Sequence, residues 1–163
     1  MRKLTVAACI VLLFLCAGCS KKTETVENPG DFLYQGKLIH FEETKTEIED
    51  LIKDAEGCSI FYSDQRVEGT EVFVTALISS DKFVTYKGIK VGDDRKKVDD
   101  TFHNIITDHQ TLLVVFDEDG EKAVSSNVGE WNESDYVIHY TLDEQDKIKQ
   151  IAIGDVAGKY FMK

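Results

Sequence analysis

The chain has 163 residues, enough for one compact domain with an extension. Its formal net charge is −11, from 19 basic and 30 acidic residues. Such a body is repelled by nucleic acid and by anionic lipid headgroups, and no basic strip interleaved with aromatics offsets this.

The N-terminus reads as a secretory signal. Arg2 and Lys3 precede an apolar run from Leu4 to Leu15, which closes on Leu15-Cys16-Ala17-Gly18-Cys19. The run is 12 residues long, and a spanning helix needs about 20. The segment resembles a bacterial lipoprotein signal with its lipobox, with Cys16 where that family usually has Leu. The resemblance implies a signal peptide over residues 1–18, cut before Cys19, and acylation of the Cys19 sulfur by palmitate-type chains. The protein would then be lipid-anchored on the extracytoplasmic side of a membrane of the bacterial cell envelope. A plain secretory signal is the alternative. Arg2 and Lys3 leave with the signal, so 17 of 19 basic residues remain against 30 acidic ones, a net −13. With Cys19 acylated, Cys58 has no disulfide partner, and it reads as a small buried hydrophobe.

Residues 19–31 hold the only proline, Pro29, and no apolar pattern; they read as a lipidated cysteine and a flexible tether. Ordered structure is expected over 32–163 as a single domain, starting at Phe32-Leu33-Tyr34 and Leu38-Ile39. Thr44-Lys45-Thr46-Glu47 fits a capping box, and Ile48, Leu51, Ile52 and Ala55 form one helical face that Gly57 should end. Strands are expected at Ile60–Tyr62 and Glu71–Ile78, with Ser79-Ser80-Asp81 as a hairpin turn into Lys82–Tyr86. A second helix follows Gly88-Ile89-Lys90-Val91-Gly92-Asp93-Asp94, with Asp93 or Asp94 as N-cap and Val98, Phe102 and Ile105 inward. Then come strands at Leu112–Phe116, Glu121–Ser126, Tyr136–Leu142 and Ile148–Ile153, with turns at Asp117–Gly120 and Asp143–Asp146.

The two helix approaches superpose without a gap at an offset of 50 residues: Ile39 on Ile89, Phe41 on Val91, Glu43 on Asp93, Ile48 on Val98. Gly88–Asp93 with the charged helix after it resembles β-lactamase-inhibitor-protein-like modules and the small lipoprotein of the outer-membrane assembly machinery. Glu42 stands where the second copy has Gly92. The resemblance implies tandem units and a protein-binding sheet face. The expected fold is therefore α+β: two tandem helix-plus-antiparallel-sheet units, half-repeats about 36–86 and 87–155, with both helices packed on one sheet face. Ile48, Leu51, Ile52, Val98, Phe102, Val72, Val74, Ile138, Tyr140, Ile151 and Ile153 are the expected core.

Chemistry is sparse. His103, Asp108 and His109 are the one grouping for a metal-assisted or carboxylate-based hydrolase, but no third histidine or HExxH spacing accompanies them. Asp117–Glu121 lacks calcium-loop spacing and reads as a hairpin turn. Arg95-Lys96-Lys97 is a short charged helix face. Trp131, the only tryptophan, lies in a polar loop and reads either as a plug at the end of the core or as a partner anchor. Tyr136 is its companion candidate, and Tyr62, Tyr86 and Tyr140 could line the same sheet face. The expectation is a non-catalytic binding module for another envelope protein, with no cofactor, no metal and no nucleic acid. An envelope hydrolase and a binder of small ligands or cell-wall fragments are the alternatives.

Overall fold

The computed structural model describes residues 25–117, 119–122 and 128–156; Cys19 and the rest of the signal segment lie outside them. Strand makes up 46% and helix 17% of the chain described. One sheet has seven antiparallel strands, a second has three, and two short helices join them.

The small sheet forms first in the chain. β1 (Phe32–Tyr34) turns through Gln35 and Gly36 into β2 (Lys37–Ile39). Both turn residues have positive φ, 50° and 80°, the backbone twist that a two-residue hairpin loop requires. Helix α1 (Lys45–Ile52) follows, then β3 (Cys58–Val67) and β4 (Thr70–Ile78), joined by a second two-residue loop with Gly69 at φ 73°. The stretch after β4 does not turn back as a hairpin. It crosses to the small sheet, where β5 (Phe83–Val84) pairs with β1. After α2 (Arg95–Thr101) come β6 (Ile105–Asp108), β7 (Thr111–Asp117), β8 (Gly120–Glu121), β9 (Tyr136–Leu142) and β10 (Ile148–Asp155). The large sheet runs β3-β4-β10-β9-β7-β6, with β8 beside β7.

This order corrects the expected fold class. Two tandem helix-plus-antiparallel-sheet units do not form, because β10 inserts between β4 and β9 and fuses both halves of the chain into one sheet. The helices are also too short to cover a sheet face: each buries one residue fully, Ile48 in α1 and Val98 in α2. A 3.6-residue period over two turns suggested longer ones. Helix α1 stops at Ile52, before Gly57, and Phe102 is already extended at φ −119° and ψ 145°. Of the expected core, Ile48, Val98, Phe102, Ile138, Tyr140, Ile151 and Ile153 join the main cluster, and Leu51 and Ile52 pack half-buried on its margin. Val72 and Val74 are buried outside it.

What the two helix approaches do share is local geometry. Glu42 and Gly92 both take positive φ, 65° and 89°. Glu42 N–H donates to Phe73 O at 3.0 Å, and Phe73 N–H to Glu43 O at 2.9 Å. In the second turn Gly92 N–H donates to Ile148 O at 2.8 Å, and Ile148 N–H to Asp93 O at 2.9 Å. Each turn is thus stapled to a strand of the large sheet, at Phe73 within β4 or at Ile148, the first residue of β10.

The core lies between the small sheet and the face of the large one that carries Phe73, Ile78, Ile138, Tyr140 and Ile151. Phe32 meets Phe73 edge-on with ring centroids 5.7 Å apart, and Tyr34 stacks on Phe83 at 4.5 Å. Beyond α2, Phe102, Phe116 and Tyr86 form a second aromatic group. Aromatic pairs of this geometry each add about 1 kcal/mol beyond their buried area.

Candidate functional site

The two ends of the large sheet are unlike. At one, β6 has four residues and finishes on exposed Thr107 and Asp108. At the other, β3 has ten residues, and no described strand lies beyond it. Edge strands are normally guarded by shortness, lysine, proline or a covering element, because their outer N–H and C=O groups otherwise template pairing. β3 contains neither lysine nor proline, and its half from Cys58 to Ser63 carries no charged side chain.

Helix α1 flanks this edge without closing it. An open groove of about 470 Å³ runs between them, lined by Glu49, Asp50, Ile52 and Lys53 of the helix segment and by Ile60 and Tyr62 of β3. The capping turn sets the helix here: the Glu47 carboxylate accepts the Thr44 N–H at 3.2 Å and the Thr44 hydroxyl at 2.5 Å. Those hydrogen bonds hold the Glu47 carboxyl below its ordinary range. Ile48 then faces the core, which turns Glu49 and Asp50 outward. On the strand, Ile60 and Tyr62 share one face two residues apart, half-buried against the core margin. Lys45 caps the Tyr62 ring at 5.5 Å while its ammonium pairs with Glu71 at 2.9 Å. Burial pushes the Tyr62 hydroxyl up to about 12, and the nearby Glu49, Cys58 and Glu71 add to this. Burial alone pushes the Cys58 thiol up to about 12, so it is an unreactive packing group.

The residues singled out by sequence are dispersed. Tyr136 is half-buried, edge-on to Phe41 with centroids 5.1 Å apart, and its ring packs so closely on Gly30 that a Cβ there would lie 2.6 Å from it. It lines one wall of an acidic depression with Asp117, Asp119, Asn132, Ser134 and Asp135; Trp131 is not part of that wall. Trp131 is half-buried, with its indole Nε1 fully buried and no hydrogen-bond partner. Tyr86 packs into the second aromatic group and Tyr140 is fully buried, so a tyrosine-lined sheet face does not form. His103 and the pair Asp108–His109 sit at opposite ends of β6. His109 is 95% exposed in the β6–β7 turn and lies 3.7 Å from Asp108. No group of three or more metal-ligating side chains occurs among the described residues.

Three buried carboxylates went unread in the sequence. Asp31 accepts Phe41 N–H and His40 Nδ1, both at 2.9 Å; Asp135 holds Lys122 and the Asn132 N–H; Asp155 pairs with Arg66. Each ties a loop or the β3 arm to the sheet, and nothing in single-sequence periodicity marks them. The groove was missed because only Ile60–Tyr62 read as strand. Val67-Glu68-Gly69-Thr70, a two-residue turn with glycine, was the available signal that β3 runs to Val67.

No protein-family model, no curated protein and no solved structure matches the chain.

Proposed function

We propose that this chain is a lipid-anchored lipoprotein on the extracytoplasmic side of a bacterial envelope membrane, whose folded part binds another envelope protein. The anchoring half rests on the segment from Arg2 to Cys19, with its basic start, apolar run and Ala17-Gly18 before the cysteine. The binding half is supported by one observation: an open groove between α1 and β3, lined by the apolar side chains of Ile52, Ile60 and Tyr62 and by the exposed carboxylates of Glu49 and Asp50. The described chain packs from Val26, which is 6% exposed, so few residues separate it from Cys19. That segment reaches at most ~25 Å when fully extended. A domain so tethered meets partners at the membrane surface, and the net charge of −13 left after the signal is removed keeps it off anionic headgroups.

The test is metabolic labelling of cells with a clickable palmitate analogue, comparing the native chain with Cys19→Ser. Label on the native chain, loss of label from the variant and release of the variant from the membrane fraction are expected. A native chain that takes no label, or a variant that keeps it, overturns the anchoring.

A further inference from the structure

We propose that the pocket between the start of the described chain and the outer face of the small sheet takes one acyl chain of the lipid on Cys19, so that the protein shelters part of its own anchor when it is off the membrane. The proposal rests on the anchoring reading above and assigns a ligand to a second site, away from the α1–β3 groove.

Strand alternation sorts the two faces of the small sheet. Phe32, Tyr34 and Phe83 point into the main core. Leu33 and Val84 point the other way and lie directly opposite each other in the β1–β5 register. Leu38 pairs with Leu33 on the β2 side, so three apolar side chains, all half-buried, cross this outer face in one row. Val26 is 6% exposed yet does not belong to the main cluster. It lines the same pocket as Leu33 and Val84, which puts the first described residues over this face.

The pocket measures about 650 Å³, inside the range of about 300–1,000 Å³ usual for small-molecule sites. Its surface is mostly apolar: Val26, Leu33 and Val84 form it together with the turn at Lys87 and Gly88, where φ is 58° and 73°. Lys87 holds its ammonium over the Tyr86 ring at 4.7 Å. Thr25 and Glu27 are exposed and supply a polar rim. An apolar interior with polar groups at its mouth suits a hydrocarbon chain whose polar end stays in water.

The occupant follows from the chain itself. Thr25 lines the pocket, and Cys19 precedes it by six residues. Six residues span at most ~22 Å when fully extended. A hydrocarbon chain attached at Cys19 is therefore held beside the pocket at a high effective concentration, whereas an apolar group of another molecule has to diffuse to it. In water, burial of each methylene is favourable. Beside a bilayer that advantage vanishes, because lipid tails are as apolar as the pocket. The acyl chain thus enters the membrane where one is present and returns to the pocket where none is.

The experiment grows cells with a palmitate analogue that carries a diazirine within its chain and a terminal alkyne. The labelled mature chain is purified, detergent is removed, and the sample is irradiated; mass spectrometry then locates the crosslinks. Crosslinks within one chain to Val26, Leu33 or Val84 are expected. At least about tenfold fewer are expected from a chain carrying Leu33→Gln with Val84→Gln, whose fold circular dichroism verifies. Crosslinks only between chains, crosslinks only elsewhere in the same chain, or an undiminished yield in the folded variant overturn the pocket. The map of the native chain decides by itself where the variant does not fold. In liposomes the crosslinks should move to phospholipid; crosslinks that stay in the pocket there overturn the exchange with the membrane. A chain that takes no label overturns the anchoring reading and this one with it. Label without a pocket crosslink overturns this one alone.

Discussion

Glu43 and Asp93 do the same job in two turns 50 residues apart. Glu43 Oε2 accepts the His40 N–H at 2.9 Å, and Asp93 Oδ2 accepts the Lys90 N–H at 2.9 Å. Asp93 also holds the Lys97 ammonium at 2.7 Å. Replacing Glu43 by Ala should cost about 1 kcal/mol, and Asp93→Ala about 1–2 kcal/mol, through the loss of one and two hydrogen-bond partners respectively. Urea unfolding at neutral pH measures both, and an Asp93 variant no less stable than the native chain would refute the assignment.

The same turns place Glu42 and Gly92 in the left-handed region. That conformation costs about 1–2 kcal/mol for a residue with a Cβ. Gly92 has open space where a Cβ would stand, so Gly92→Ala should lose about 1 kcal/mol by backbone strain alone. Glu42→Gly should gain up to about 1 kcal/mol, less the surface contact of Glu42 with Arg66 at 3.4 Å. The two substitutions should move the unfolding midpoint in opposite directions.

Tyr140 carries a hydroxyl buried in the core without a hydrogen-bond partner, and burial pushes its ionisation well up. An unsatisfied buried hydroxyl costs about 1–3 kcal/mol relative to a hydrated one. Tyr140→Phe removes the hydroxyl and keeps the ring, so stability should rise by about 1 kcal/mol. A loss of stability would show that the hydroxyl is satisfied in solution.

His139 lies across from Ala152 and Leu113 on the sheet face away from the main core, and burial lowers its pKa. The unfolded chain therefore binds a proton at this residue more readily than the folded one. Its contribution is fully present above the unfolded value of about 6.5 and is lost as pH falls through the lower, folded value. His139→Gln should flatten the decline in unfolding midpoint as pH falls below about 6.5. An unchanged slope would remove His139 from the acid response.

Cys58 should be sluggish towards iodoacetamide at pH about 8, because its thiol is pushed up to about 12 by burial. Alkylation at the rate of a free cysteine in the native state would mean that β3 opens at its first residue.

What was legible beforehand was local. The Thr44–Glu47 turn, the inward positions of Ile48 and Val98, and the Asp143–Asp146 turn follow from residue types a few positions apart. In that last turn the Asp143 carboxylate accepts the Lys147 and Gln145 N–H groups and is held below its ordinary pKa. Strand β4 was readable because seven β-branched, aromatic and apolar positions, Val72 to Ile78, run together; the polar end of β3, Ser63 to Val67, has no such mark. Strand order was not legible at all. The pairing of Ile151 with Ile78 and with Tyr140 is non-local, and no spacing within either segment encodes it. The repeated helix turns argued for two units because each looks complete on its own. Each in fact clips onto a strand of one shared sheet. The groove fell in the same blind spot, since an edge is defined by what does not pair.

The place of β10 sets the order in which this protein can be made. It is the last strand described, yet it stands at the centre of the large sheet, with β4 on one side and β9 on the other. Until residues 148–155 have emerged, the described large sheet consists of two separate fragments, β3–β4 and β9–β7–β6, each exposing the edge that β10 will pair with. A chain that emerges in N-to-C order therefore cannot complete the large sheet before residues 148–155 appear, and then joins its two halves in one step. A stop before Ile148 should yield a protease-sensitive product rather than a smaller folded one, and a partner engaging the open edges during that interval would act as its chaperone.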